Sequence, residues 1–212
     1  MKGDAEQATT FDFWLDKAEH PFSGWDFSHI IESGRMVTAP LLWSYTSEVL
    51  LAVRLCRSLL DMDTGGGEFL AGLQLLPPHT CATEGYPPNV PIARQRLEPL
   101  GAMVHEVGED DILPFADGEF DLVINRHGSY LAEEVYRVLK PCGGFVTQQV
   151  GGTNDWGLNK MLWAEPNRQW EDWTLDFAVR DLAKAGFEIE VGKEAFPITR
   201  IFDVGALMYQ LK

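Results

Sequence analysis

The pattern of hydrophobic and polar positions changes along the chain from a helical period to short apolar runs. In residues 40–57 the apolar residues recur at three- and four-residue spacing, which predicts a helix. Beyond this helix, strands are predicted over residues 58–63, 80–85, 102–107, 120–126, 144–150 and 187–195. Helices are predicted near residues 68–76, 89–100, 131–139 and 172–185. The alternation indicates βαβ units, and therefore a doubly wound, mostly parallel α/β sheet with helices on both faces.

The two ends of the chain depart from this alternation. Residues 1–35 are rich in aromatic side chains but contain several turn dipeptides, which predicts a short helix near residues 11–19 followed by an irregular segment. Residues 201–212 place Val204, Leu207, Met208 and Leu211 on one side of a helix.

Three consecutive glycines follow the first predicted strand, within residues 61–68 (DMDTGGGE). Glycine permits positive φ angles and close approach of a ligand to the backbone, and the next helix begins there. Glu84 ends the second predicted strand about 20 residues later, where a carboxylate can accept hydrogen bonds from ribose hydroxyls. A tight turn and a solvated acid are the structural alternatives. The two features together favour a nucleotide-like ligand.

The charge balance restricts the partners that we expect. The chain has 32 acidic and 17 basic side chains, a net charge of -15, and no cluster of Lys and Arg. Long-range repulsion therefore disfavours a nucleic acid and favours a small molecule. No apolar run reaches the roughly 20 residues that span a bilayer. The polar N-terminus lacks a signal-peptide pattern, so the expected location is the cytoplasm.

The cysteines and most histidines lack the spacing of metal ligands, so no metal site is predicted. The three isolated cysteines are interpreted as small buried hydrophobes in a reducing compartment: Cys56, Cys81 and Cys142. Four histidines are interpreted as structural or solvated: His20, His29, His79 and His105.

Four stretches of the sequence carry a family resemblance: LLDMDTGGGEFL (residues 59–70), TEG (83–85), GEDDILPFADGEFDLVINRH (108–127) and VYRVLKPCGGFVTQQVGG (135–152). They resemble the class I S-adenosylmethionine-dependent methyltransferases, within them the type 11 methyltransferase group. The resemblance implies S-adenosyl-L-methionine as cofactor. It also implies transfer of the methyl group to an O, N or C nucleophile of a small molecule.

The resemblance further implies roles for the loop residues. Asp61 orders the loop, Gly65 and Gly67 face the methionine and ribose portions of the cofactor, and Glu84 holds the ribose. The family usually has glycine where this chain has Asp63. The carboxylate of Asp63 could pair with the ammonium or sulfonium of the cofactor, or collide with its carboxylate, and the sequence leaves both open.

The resemblance also implies an adenine site and a methyl-transfer pocket. Asp111, or alternatively Asp110, receives the adenine amino group, and Ile112 packs on the ring. Asn125 and Arg126 line the methyl-transfer pocket, and Asn125 is also a cofactor-binding residue.

His127 follows at the tip of the fourth predicted strand. Methyl transfer often requires a base to remove a proton from the acceptor, and a histidine that titrates near neutral pH suits that task. A structural role is the alternative. The adjacent Arg126 could bind a carboxylate of the substrate with its two parallel N–H donors.

A single domain over residues 1–212 is expected, with a helical and aromatic cap (1–57), a cofactor-binding core (58–152) and a substrate-side segment (153–212). The cap either covers the active site as a lid or covers a sheet edge.

Two other functions stay open: an RNA methyltransferase, and a non-catalytic S-adenosylmethionine-binding module. The family sheet has a seventh, antiparallel strand, which the helical residues 201–212 do not supply. The resemblance therefore suggests a shortened chain or a last strand that comes from elsewhere. We expect low stability of the single chain or a homodimer that covers the open edge.

Overall fold

The computed structural model describes residues 27–108, 110, 112–162 and 168–211. It divides into two compact units. The larger unit is Ser44–Glu194, and the smaller one comprises the described parts of Met1–Trp43 and Ala195–Lys212. The helix predicted near residues 11–19 and most of the aromatic N-terminal segment lie outside the described residues. None of the described helices is long and apolar enough to cross a membrane.

The helices and strands are numbered in chain order. The helices are α1 (Ser28–Ile31), α2 (Tyr45–Val53), α3 (Glu68–Gly72), α4 (Val90–Leu97), α5 (Ala132–Val138), α6 (Trp156–Leu162), α7 (Leu175–Ala185) and α8 (Val204–Gln210). The strands are β1 (Met36–Thr38), β2 (Ser58–Met62), β3 (His79–Glu84), β4 (Met103–Glu106), β5 (Phe120–Arg126), β6 (Leu139–Gln148) and β7 (Thr199–Ile201). A 3-10 turn, Glu98–Leu100, follows α4.

The larger unit is a five-stranded parallel sheet in the order β4-β3-β2-β5-β6, with helices on both faces. Successive residues of β2 point to opposite faces, as in any strand. Leu59 therefore packs with Val49 and Leu97, which come from α2 and α4. Leu60 packs with Val135 of α5 on the other face. The predicted doubly wound, parallel α/β sheet is confirmed.

Several predicted elements have different bounds. The helix predicted over residues 40–57 is only Tyr45–Val53. The helix after the glycine loop ends at Gly72 instead of about residue 76, and Gln74 then has a φ of 64°, which interrupts helical geometry. The strand predicted from residue 144 begins at Leu139. Its pairing with β5 is irregular at the beginning, because Phe120 pairs with Leu139 and Leu122 with Gly144. The intervening turn residues bulge out of the ladder.

Residues 187–195 do not form the predicted sixth strand. Their side chains do alternate, since Phe187 and Ile189 pack on the Leu60 side of the core while Glu188 and Glu190 are exposed. The alternation of apolar and polar residues indicates only which side chains are buried. A strand in a sheet also requires backbone hydrogen bonds to a neighbouring strand, and none of the described residues pairs with this segment.

The smaller unit is built on an antiparallel pair, in which Met36 of β1 is opposite Ile201 of β7. The Arg35 guanidinium donates two hydrogen bonds to the carboxylate of Asp203, at 2.8 and 2.6 Å. This pairing lowers the pKa of Asp203 to about 2. Asp203 also caps α8 by accepting a hydrogen bond from the amide of Ala206. The helix predicted within residues 201–212 is thus confirmed, and β7 is not part of the five-stranded sheet.

Candidate functional site

Three buried polar side chains lie at the carboxyl ends of neighbouring strands. Asp61 of β2, Glu84 of β3 and Asn125 of β5 are all buried. Met62 is directly opposite Asn125, so β2 and β5 end at the same level. The carboxyl edge of an open α/β sheet is where ligands bind in this architecture. The structure therefore brings these three sequence-predicted residues to one edge.

The loop between β2 and α3 is ordered by hydrogen bonds to the neighbouring strand and to itself. The Thr64 amide donates to the carbonyl oxygen of Thr83 at 2.9 Å, and the Thr64 hydroxyl donates to Asp61 Oδ2 at 2.6 Å. Gly65 has a φ of 62° and no atom within 4 Å of the place where a Cβ would stand. This open space is where the backbone can approach a ligand most closely.

Gly67 is required for a different reason. Its φ is 80°, and a Cβ there would lie 2.8 Å from Leu97 Cγ of α4. The missing side chain lets the loop pack against that helix. The structure therefore gives Gly67 a packing contact in addition to the cofactor contact that the resemblance implies.

Asp61 has an unusual electrostatic environment. Burial raises its pKa to about 7, the Thr64 hydrogen bond acts in the opposite direction, and the negative charges of Asp63 and Glu84 raise it further. Glu84 Oε1 accepts a hydrogen bond of 2.7 Å from the Tyr86 amide, which holds the carboxylate at the end of β3. Three carboxyl groups around one loop suit a ligand that carries positive charge.

Asp63 is packed against the loop that follows β5. It has a φ of 52°, in the left-handed region that favours glycine, and its amide donates to Thr83 Oγ1 at 3.3 Å. A Cβ added at Gly128 would lie only 2.7 Å from Asp63 Cγ. The side chain of Asp63 thus occupies the space that the glycine leaves free.

Asn125 is held by two residues of the β6 end that the sequence analysis did not identify. Its Oδ1 accepts hydrogen bonds from Gln149 Nε2 at 2.5 Å and from Thr147 Oγ1 at 3.3 Å. Gln149 also donates to the carbonyl oxygen of Gly128 at 3.1 Å. Among the described residues nothing pairs with Asn125 Nδ2, although the residue is 0% exposed. A buried donor without a protein partner is expected where a ligand or a water supplies the acceptor.

Arg126 lies against a pair of neighbouring aromatic rings, Tyr45 and Phe69, whose centres are 5.2 Å apart. Its guanidinium carbon is 5.9 Å from the ring centres of both Tyr45 and Phe69. Cation–π contacts of this kind hold the side chain without using its N–H donors. Burial, followed by the charge of Asp61, raises the pKa of Tyr45, so its hydroxyl stays protonated. The helical period predicted that Tyr45 would face inward, but not that it would contact Arg126.

His127 has a φ of 69°, and its amide donates to the carbonyl oxygen of Gln148 at 2.9 Å. The residue is exposed, yet partial desolvation of the imidazole and then the charge of Arg126 lower its pKa. The imidazole is therefore neutral at pH 7 and can accept a proton.

The adenine-site residues are only partly described. Asp111 lies outside the described residues. Asp110 Oδ1 accepts a hydrogen bond from the amide of Ile112 at 3.4 Å. The Ile112 side chain is 56% exposed, which leaves apolar surface for a flat ring.

The segment after Ile112 is held by Arg137 of α5. Arg137 donates to the carbonyl oxygens of Leu113 and Phe115, at 3.0 and 2.7 Å. It also pairs with Asp117 and Glu134, and these carboxylates raise the pKa of the guanidinium. The LPF and RVLKP parts of the resemblance thus meet in space, and Arg137 has a positioning role there.

Comparison with known proteins gives a family match for part of the chain. A family model described as a methyltransferase domain matches residues 60–147. No curated protein sequence matches the chain significantly.

Solved structures with the same fold include a candidate methyltransferase from Bacillus halodurans, which is 22% identical with a TM-score of 0.55 over 69% of this chain and 70% of that one. An S-adenosylmethionine-dependent methyltransferase from Mesorhizobium loti is 17% identical with a TM-score of 0.52, over 70% and 83%. The [4+2]-cyclase SpnF is 21% identical with a TM-score of 0.53, over 69% and 57%.

Proposed function

We propose that the chain is a class I S-adenosylmethionine-dependent methyltransferase that methylates an O, N or C nucleophile of a small molecule. A methyltransferase-domain model matches residues 60–147 and a solved methyltransferase has the same fold, which supports this proposal. The observation that carries this proposal is the convergence of Asp61, Glu84 and Asn125 beside the open space at Gly65. One neighbour of the same fold is a cyclase, so the fold alone does not specify the reaction. The side chains of the site must support the proposal.

The residues of the carboxyl edge fit the proposed cofactor. The carboxylate of Glu84 at the end of β3 supports the proposal, because a carboxylate there can accept hydrogen bonds from ribose hydroxyls. The exposed Ile112 supports it as apolar surface on which adenine can pack. Asp61 and Asp63 place carboxyl groups beside the loop, where an ammonium or sulfonium would balance their charge. When bound, S-adenosylmethionine supplies a methyl group that its positively charged sulfur already activates. The protein then has to position the acceptor and manage its proton.

Arg126 supports an acceptor that carries a carboxylate. The rings of Tyr45 and Phe69 hold the guanidinium at the tip of β5, next to Asn125. A guanidinium held in this way presents parallel N–H donors, which match a carboxylate bidentately. The net charge of -15 also favours a small anion bound by one local cation over a polyanion such as RNA.

His127 supports a role in proton transfer. It follows Arg126 directly, its lowered pKa keeps the imidazole neutral at pH 7, and its backbone is in the left-handed region. Sparsely populated backbone conformations cluster at functional sites. We infer that His127 accepts the proton that the acceptor loses.

The proposal is tested first by binding and then by turnover. Calorimetry should detect binding of both S-adenosylmethionine and S-adenosylhomocysteine. Incubation with labelled cofactor and a panel of small carboxylic acids should give a methylated product. The variant Arg126→Met should mainly raise KM and His127→Asn should mainly lower kcat. Absence of cofactor binding in the folded chain contradicts the proposal, and binding without turnover on any acceptor supports a non-catalytic binding module.

Two substitutions at Asp63 separate the effects of its charge and its size on cofactor affinity. Asp63→Asn removes the charge and keeps the shape, while Asp63→Gly removes both. If the carboxylate pairs with the ammonium or sulfonium, both changes weaken binding. If it obstructs the cofactor, Asp63→Gly tightens binding.

A further inference from the structure

A second cluster of polar side chains lies at the opposite, amino edge of the five-stranded sheet. His79 and Cys81 belong to the beginning of β3, and Glu119 directly precedes β5. His79 and Cys81 are two residues apart, so their side chains share one face of the sheet. Strand β2 runs between β3 and β5, and its residue opposite His79 is the small Ser58. Glu119 therefore reaches this face from the position just before β5, a strand that does not pair with β3.

The three side chains converge closely. The His79 Nε2 and Glu119 Oε1 atoms are 3.0 Å apart. One ligand-type atom from each of His79, Cys81 and Glu119 lies within 4.8 Å of the other two. Tetrahedral zinc with bonds of about 2.0–2.3 Å requires about 3.3–3.8 Å between its ligand atoms. On binding an ion, the His79 and Glu119 atoms would therefore move slightly apart and the Cys81 sulfur would move towards them.

The surroundings already orient the ligands. The His79 ring stacks on Phe120, with ring centres 5.4 Å apart and planes 5° apart. The second carboxylate oxygen of Glu119 accepts a hydrogen bond of 2.9 Å from the Ala116 amide. The Glu119 amide donates to the carbonyl oxygen of Val138 at 2.8 Å. Partners of this kind fix metal ligands in known sites.

The donor set and the exposure both suit a divalent transition metal. An imidazole nitrogen, a sulfur and a carboxylate oxygen are the ligands that zinc accepts. Cys81 is buried, whereas the side chains of His79 and Glu119 are 38% and 27% exposed. An ion would reach the cluster from the solvent side, and water could take the fourth position. A hydrogen bond joins His79 to Glu119, and Cys81 packs in the core with Leu60 and Phe120, so its thiol lies beside this pair.

We propose that His79, Cys81 and Glu119 form a zinc-binding site that joins the beginnings of β3 and β5. On binding, the Cys81 S–H bond breaks, a Zn–S bond forms and the proton passes to solvent. The thiolate and the Glu119 carboxylate then balance the two positive charges of the ion. The site is structural and lies at the other edge of the sheet from the glycine loop, so it does not depend on the proposed methyl transfer.

The test is titration of the metal-free, reduced chain with Co²⁺, which shows a charge-transfer absorption band when a thiolate binds it. One equivalent of Co²⁺ should produce the band, and Zn²⁺ should displace Co²⁺ and raise the melting temperature. Cys81→Ser should abolish the band. His79→Phe, which keeps a ring on Phe120, and Glu119→Gln, which keeps an acceptor for His79, should each weaken binding. The loss should be at least about tenfold, the lower end of what removal of an outer partner costs.

The control is the double variant Cys56→Ser with Cys142→Ser, in which Cys81 is the only thiol. This chain should bind Co²⁺ with the same band as the wild type, whether or not Cys81→Ser folds. Absence of the band and of the Zn²⁺-dependent stabilisation in the wild type would overturn the proposal. So would a band that disappears in the double variant, or wild-type affinity in both His79→Phe and Glu119→Gln.

Discussion

The side chain of Asp63 requires a glycine at position 128, in a different loop, because the two residues share one small space. Asp63 has a φ of 52°, a conformation in which glycine has no steric cost and aspartate a moderate one. Its side chain fills the space beside Gly128, where a Cβ would lie 2.7 Å from Asp63 Cγ. The aspartate that departs from the family resemblance is therefore accommodated by a glycine 65 positions later in the chain.

We predict that Gly128→Ala destabilises the wild-type chain by about 1–3 kcal/mol, the usual cost of overpacking. In the Asp63→Gly background the same change should cost almost nothing, because the space is free. Urea denaturation of the four chains gives the coupling energy of this double-mutant cycle. Additive effects of the two substitutions would show that the side chains do not compete for this space.

Glu84 allows a direct test of the cofactor site. Glu84→Ala should weaken binding of S-adenosylmethionine by roughly 1.5–3 kcal/mol, the scale of hydrogen bonds to a charged group. Calorimetry measures the change, and circular dichroism verifies the fold. Glu84→Gln keeps an acceptor for the Tyr86 amide and should have an intermediate effect. An unchanged dissociation constant in folded Glu84→Ala would refute the ribose role.

Asp61 should make the stability of the ligand-free chain depend on pH. Its pKa is about 7 in the folded chain, because of burial first and of Asp63 and Glu84 next, against about 3.9 in an unfolded chain. The folded state therefore binds the proton more tightly. The resulting stability is present below about pH 4 and is lost as the pH rises to about 7.

The control for this pH effect is Asp61→Asn, which does not titrate and still offers an oxygen to the Thr64 hydroxyl. At about 1.4 kcal/mol per pKa unit, the variant should be more stable than the wild type above pH 7 by up to about 4 kcal/mol. The difference should disappear near pH 4. Urea denaturation of both chains across this range is the measurement, and a difference that is constant with pH would contradict the prediction.

At the scale of helices and strands, Arg137 explains why two separate motifs occur together. It joins α5 to the carbonyl oxygens of Leu113 and Phe115, in the segment that follows Ile112. Lys140 has a similar role at the beginning of β5, where it donates to Asp121 Oδ1 at 2.9 Å and to Ser58 Oγ at 2.8 Å. These charged residues position the strands and loops that carry the site.

We predict that Arg137→Met destabilises the chain by about 3 kcal/mol or more, since each hydrogen bond from a charged group contributes about 1.5–3 kcal/mol. The freed segment should also weaken cofactor binding, because Asp110 and Ile112 adjoin it. Arg137→Lys should recover only part of the stability, since an ammonium cannot make the forked contacts.

The matched control is Arg94→Met on the exposed face of α4, which should change neither the stability nor the cofactor binding. Urea denaturation and calorimetry measure both, and equal effects of the two Met variants would contradict the role of Arg137.

At the scale of the whole molecule, β6 is an edge strand of the five-stranded sheet, and none of the described residues pairs with its outer side. Such an edge favours association with another chain. We predict a homodimer in which this edge is covered. The net charge of -15 opposes association at low salt, so the dimer should become more stable as salt rises.

Sedimentation over a range of protein and salt concentrations measures this association. Hydrogen exchange of the β6 amides should slow in the dimer relative to the dilute chain, while that of β2 amides, at the centre of the sheet, should not change. A monomer at all concentrations, or a dimer that leaves β6 exchange unchanged, would contradict the prediction.

The amino-acid sequence by itself determined the order along the chain of the five strands of the parallel sheet and of the helices between them, and the loop at the end of β2. It also placed Asp61, Glu84 and Asn125 at strand ends. These features are local, because the alternation of apolar residues, a glycine run and a strand end can each be recognised within a few neighbouring positions. In a parallel sheet, knowing which residues end the strands is enough to predict that they share an edge.

Only the tertiary structure decided which distant residues meet. The contacts of Asp63 with Gly128, of Gln149 with Asn125 and of Arg137 with Leu113 depend on the order and register of the strands. Residues 187–195 illustrate the same limit, because alternation is visible in the sequence while backbone pairing depends on a neighbour. The cluster of His79, Cys81 and Glu119 is brought together across β2. Its spacing along the chain has no recognisable pattern, because two strands that do not pair with each other supply the ligands.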